Sequence, residues 1–143
     1  VIKVKKITDQ GELQQAFKIR EEVFVREQEV APEDEYDEFE DSSVHFIAYD
    51  ADEQPCGTAR WRKTNKGIKL ERFAVLKPRR GTGIGRLLVQ AVLDDIDSTP
   101  GSESQKVYMH AQTHAVPFYS RFGFESRGDE FDECGIMHYE MVR

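Results

Sequence analysis

The segment Lys77-Pro78-Arg79-Arg80-Gly81-Thr82-Gly83-Ile84-Gly85-Arg86 constrains this chain more than any other. An apolar-rich run ends at Leu76, and Ile84, Leu87, Leu88, Ala91, Val92 and Ile96 then recur at helical spacing. The chain therefore passes from a strand to a helix through a glycine-rich turn. Glycines let a backbone turn tightly and approach a ligand without side-chain interference. The first N–H groups of a helix have no internal partner, and the helix dipole favours negative charge there. Such a turn suits a pyrophosphate, with Arg79, Arg80 and Arg86 adding positive charge. A simple strand-to-helix turn would use the same glycines, so the triplet alone leaves that alternative open. No GKS or GKT follows, which excludes a P-loop. GxGxG stands where a dinucleotide fold would have GxGxxG, and no first strand of a βαβ unit stands at the N-terminus.

Around this turn the pattern predicts a mixed α/β domain over residues 1–143 with one central sheet. Residues 2–7 alternate as a half-buried strand. Asp9 and Glu12 form a capping box for a helix whose apolar stripe runs through Leu13, Ala16, Phe17, Val23 and Phe24. Residues 30–43 read as an acidic loop with a short helical turn. Strands are expected at 44–50, 56–63 and 68–76, and again at 106–111, 124–131 and 136–142. Between the strands at 106–111 and 124–131, Thr113 caps a short helix that ends at Gly123, with Pro117 in its first turn.

A length of 143 residues suits one domain with a real core. The formal net charge of -7 makes bulk binding to nucleic acid a poor fit, because that binding neutralises phosphates with Lys and Arg. The two cysteines, Cys56 and Cys134, have no CxxC spacing, and His45, His110, His114 and His138 have none that pairs them with a second ligand. No metal site is expected. No apolar run approaches the roughly 20 residues of a membrane span, and a reducing, cytoplasmic setting is the simplest expectation.

Two motifs bring a family into view. Arg80-x-x-Gly83-x-Gly85 after a strand resembles the acetyl-CoA pyrophosphate motif of the GNAT superfamily, Q/R-x-x-G-x-G/A. Ala115-Val116-Pro117-Phe118-Tyr119-Ser120-Arg121-Phe122-Gly123-Phe124 is similar to that family's later A-x-x-F-Y-x-x-x-G-F segment. The run from Ile19 to Gln28, followed by acidic residues, resembles a bacterial YjcF/ElaA-like subgroup. The resemblance implies the GNAT fold, a mostly antiparallel twisted sheet flanked by helices. It also implies transfer of an acetyl group from acetyl-CoA to an amine by direct attack on the thioester. The acceptor would be a small molecule or a peptide, and a homodimer is common in the fold. Gln112 stands where the family often has Asn.

The same resemblance assigns roles. Gly81, Thr82, Gly83, Ile84, Gly85, Arg80 and Arg86 would hold the diphosphate. Phe73, Ala74 and Val75 would lie beside the thioester, with a free strand N–H aimed at its carbonyl oxygen, and Gln112 and Tyr119 would complete the donor site. Tyr119 is the candidate general acid; the alternative is a core tyrosine beside Phe118 and Phe122. Glu71 is the candidate general base, placed by period-2 alternation on one face with Phe73 and Val75; the alternative is a salt bridge to Arg60, Arg62 or Arg72. Arg20 interrupts an apolar stripe, which is costly unless it is paired. It either binds a substrate carboxylate or pins the acidic loop through Asp37 or Glu40. His110 lies on the strand beside the proposed donor site and is a candidate acceptor contact. The acidic run 33–41 either attracts a cationic acceptor or is a solvated loop. Two other readings share these features: an acyl-homoserine lactone synthase-like acyltransferase and a CoA-binding module without turnover.

Overall fold

The computed structural model describes residues Val1–Arg143, built on one seven-stranded sheet in the order β1-β2-β3-β4-β5-β7-β6. The strands are β1 (Lys3–Lys6), β2 (Val44–Tyr49), β3 (Pro55–Thr64), β4 (Gly67–Val75), β5 (Val107–Gln112), β6 (Glu125–Glu133) and β7 (Ile136–Val142). Every neighbouring pair is antiparallel except β4 and β5. That parallel pair needs a crossover, which α3 (Ile84–Asp97) supplies. No helix is long and apolar enough to cross a membrane.

The two faces of the sheet are covered differently. On one, α3 lays down Ile84, Leu88, Val89, Val92, Leu93 and Ile96, all buried against Trp61, Leu70 and Met109. Each such side chain contributes roughly 1.5–3 kcal/mol relative to exposure. The helix comes so close to β3 that a Cβ on Gly57 would stand 2.9 Å from Ile84 Cγ2. On the other face lies α1 (Gln10–Arg20), opened as expected by Asp9, whose carboxylate accepts the Glu12 N–H at 2.8 Å. This helix does not stop at Arg20. It widens over Glu21–Glu27 into a π-helical segment, shown by the Gln28 N–H bonding Val23 O at 3.0 Å. A short α2 (Pro32–Glu35) follows in the acidic stretch. After β5, a 3₁₀ turn at Thr113–Ala115 leads into α4 (Val116–Ser120). Thr113 is not the cap expected for this helix, since its hydroxyl bonds the Glu130 carboxylate at 2.6 Å instead.

Candidate active site

Strands β4 and β5 form a fork. Their register runs Ile68 with Val107, Lys69 with Tyr108 and Leu70 with Met109, then stops. Both strands continue, to Val75 and to Gln112, without pairing further. A bulge in β4 accompanies the divergence: Arg72 is left-handed at φ 59°, and the register against β3 slips between Thr58 and Arg60. The slip changes which side chains share a face. Glu71 stands opposite Arg60 and Ala74 opposite Thr58, so both face α1. Ala74 packs there with Ile19 and Val23, whereas Phe73 and Val75 pack against the α3 core. The expected alternation that placed Glu71 with Phe73 and Val75 is therefore incorrect, because one extra residue at the bulge inverts the pleat. His110, between the core residues Met109 and Ala111, joins Glu71 on the α1 face.

The fork leaves donors unpaired. The Leu76 N–H bonds Cys56 O on β3 at 2.9 Å. Alternation then turns the Val75 amide the other way, toward the gap. The Val75 carbonyl is on that side too, where it accepts from Arg80 Nε at 3.0 Å. At the adjacent turn, the first helical backbone bond runs from the Leu87 N–H to Gly83 O at 3.1 Å, and the N–H groups of residues 81–86 find no acceptor in the chain. Gly81 and Gly83 hold left-handed φ values of 80° and 90°, which glycine adopts without strain. Thr82 closes the turn through its hydroxyl, which bonds Arg79 O at 2.6 Å. A cavity of about 1190 Å³ runs from this turn through the fork to the β6–β7 hairpin. It is lined by every residue assigned above to the donor except Thr82, together with Glu71 and His110. Arg20 does not line it.

Tyr119 enters this cavity from α4, its ring edge-on to Phe73 at 5.9 Å and to Phe118 at 5.1 Å. Burial raises its phenol above the ordinary value, so it stays protonated at neutral pH. On the α1 face, His110 Nδ1 lies 2.9 Å from a Glu133 carboxylate oxygen. A carboxylate only accepts, so Nδ1 carries a proton, and in the neutral imidazole the lone pair then lies on Nε2. His138 approaches the same carboxylate with Nε2 at 3.7 Å, while its Nδ1 donates to Ile136 O at 2.7 Å. Burial alone would raise the Glu133 pKa. The His110 hydrogen bond and the nearby positive groups hold it below the usual carboxylate range. Sequence reasoning missed Glu133 and His138; only their positions in the last hairpin, which returns beside β5, hinted at them.

Glu71 and Arg20 have a different place. Arg20 is 1% exposed; its Nε bonds Glu35 at 2.6 Å, and its NH1 and NH2 bond the Glu40 carboxylate at 2.8 and 2.7 Å. Buried and off the cavity, it does not face a substrate, so the alternative that pins the acidic segment is the one realised, with Glu35 as an additional partner. Arg60 is wholly buried and binds Glu71, Asp37 and Glu40 together. One Glu71 oxygen also accepts from Arg62 at 2.7 Å. Burial pushes the Glu71 pKa up, but Arg60, Lys69 and Arg62 more than offset it and hold it low. A carboxylate shared by arginines is a weak proton acceptor. The salt-bridge alternative accounts for Glu71, and the base assignment does not.

The same network predicts acid lability. Burial would raise the Asp37 pKa, but hydrogen bonds and charge from Arg60 lower it to about 2. Because the folded-state value lies below the unfolded one, this stabilisation is complete above about pH 4 and disappears as pH falls through about 2. It amounts to the order of 2 kcal/mol. Urea titrations at pH 6 and pH 3 are expected to show stability falling in acid, with Asp37→Asn lowering it at pH 6 and flattening the dependence.

The matching of this geometry to known proteins is direct. The acetyltransferase (GNAT) domain model matches residues 4–143. The chain belongs to the GNAT acetyltransferase family. An N-acetyltransferase of Bacillus subtilis described as uncharacterized, YjcF, is 40% identical over 136 residues, covering 94% of each chain. Among solved structures, an acyl-CoA N-acyltransferase from Pseudomonas aeruginosa superimposes with a TM-score of 0.84 at 26% identity, covering 100% of this chain and 98% of that one. Escherichia coli ElaA does so with a TM-score of 0.86 at 25% identity, covering 100% and 99%. These matches place the acetyltransferase in the YjcF/ElaA-like subgroup.

Proposed function

We propose that this acetyltransferase takes its acyl group from acetyl-CoA and delivers it to an amine that enters from the α1 face of the fork. The observation that carries this reading is the single cavity joining the unpaired amides of residues 81–86 to the Val75 amide in the gap. The former suit a diphosphate. The latter suits a thioester oxygen on which charge develops, and a donor fixed in place there is worth roughly 3 kcal/mol. The amine nitrogen attacks the thioester carbon as the C–S bond breaks. The released N–H proton goes to His110 Nε2, held in position through Nδ1 by Glu133. The departing thiolate takes its proton from Tyr119 on the α3 face. Acid and base thus stand on opposite sides of the sheet, where the leaving group and the attacking amine each arrive.

The test is thiol release from acetyl-CoA across a panel of small amines and peptides. With a responsive acceptor, Tyr119→Phe is expected to lower kcat by about 100-fold while the calorimetric affinity for acetyl-CoA changes less than about twofold. His110→Gln is expected to lower kcat by about 100-fold as well, again with little change in acetyl-CoA affinity. A Tyr119→Phe variant with wild-type kcat removes the acid role, and a His110→Gln variant with wild-type kcat removes the base role.

A further inference from the structure

The corner that ends the π-helical segment reaches across the wide end of the fork and holds both prongs. Glu27 binds Arg80 through both carboxylate oxygens, at 2.6 and 2.7 Å, and Arg80 in turn binds the carbonyl of Val75 at the tip of β4. The next residue, Gln28, holds the tip of β5: Gln112 Nε2 donates to Gln28 Oε1 at 2.8 Å, and Gln28 Nε2 returns toward Gln112 Oε1 at 3.5 Å. Glu29 follows at φ 60°, and the Val30 N–H closes the corner on Phe24 O at 2.8 Å. Strands β4 and β5 make no pairing of their own beyond Leu70 and Met109. Glu27 and Gln28, consecutive in this corner, therefore tie tips that the sheet itself leaves apart, and both border the cavity.

We propose that Gln28 and Gln112 are a positioning pair for the acyl donor: their amide bridge sets the width of the fork and walls its open end on the α1 face. The inference rests on the reading of acetyl-CoA as donor. It also explains why glutamine stands at position 112. An asparagine there would fall short of Gln28 by one C–C bond, about 1.5 Å, which breaks a 2.8 Å hydrogen bond. In this chain the longer amide serves the bridge, and position 28 and position 112 act as a unit.

The experiment is calorimetry of acetyl-CoA with the wild type, Gln28→Ala, Gln112→Asn and the double variant, with thermal unfolding of each. Each single change is expected to weaken acetyl-CoA binding about fivefold, the worth of one such bond. The double variant is expected to be no weaker than the worse single, with melting temperatures within a few degrees of wild type. A structural role alone would lower melting temperature without that coupling in affinity. Wild-type affinity in Gln112→Asn, or losses that multiply in the double variant, would overturn the bridge. A wild type that does not bind acetyl-CoA fails the donor reading itself; variants that match a binding wild type fail the bridge alone.

Discussion

Gly83→Val is expected to weaken acetyl-CoA binding by about 100-fold or more, for two reasons that act together. Gly83 holds φ at 90°, where an L side chain is strained, at a cost on the order of 1–3 kcal/mol. Relaxing that strain rotates the amides of the turn away from a common target. The β-branched side chain also enters the space beside the turn. Within the chain that space is open, since a Cβ would meet only Arg86 NH2, at 3.7 Å. The obstruction would therefore fall on a diphosphate bound at the turn rather than on the protein. Calorimetry and thermal unfolding separate the two effects: the melting temperature falls modestly while affinity collapses. Undiminished affinity in Gly83→Val would show that the turn does not grip the donor.

Arg60→Met is expected to be the most destabilising single change in the α1 half of the molecule. The guanidinium is fully buried and is the shared partner of Asp37, Glu40 and Glu71. Removing it leaves carboxylates facing one another with too few cations, and breaking a buried pair from one side typically costs about 3–5 kcal/mol. For a chain of this size that corresponds to a fall of roughly 10 °C in melting temperature. Adding Asp37→Asn to Arg60→Met is expected to recover part of the loss, because Asp37 would otherwise keep only Arg72, at 3.2 Å. A fall of less than about 1 kcal/mol would mean that the cluster behaves as an ordinary surface ion pair.

The glycine turn and the helix that follows it were legible in the sequence because their determinants are local. Gly81, Gly83 and Gly85 and the stripe from Ile84 to Ile96 lie within one strand-turn-helix unit, where periodicity and backbone freedom act over a few residues. The α1 face of the fork was legible only in outline. Glu71 was placed on the wrong face because a bulge at Arg72 has no composition signal: arginine is not a residue that announces a left-handed φ. The Asp37–Arg60 and Gln28–Gln112 contacts join residues 23 and 84 positions apart. Such pairings come from the sheet order, which no local pattern encodes. Arg20 is the instructive case. Its cost in an apolar stripe was visible, and the acidic segment was the right place to look, but Glu35 could not be chosen ahead of its neighbours before the fold was known.

The arginine cluster also changes how the molecule looks from a distance. On paper the stretch from residue 33 to residue 41 is a polyanion. In the fold, Glu35, Asp37 and Glu40 are turned inward and already neutralised by Arg20, Arg60 and Arg72. Only Glu33, Asp34, Glu38 and Asp41 remain at the surface of that stretch. The field felt by an approaching cation is correspondingly thin and is screened within about 8 Å at physiological salt. A cation approaching this stretch therefore meets four carboxylates rather than seven, and their pull weakens as salt rises.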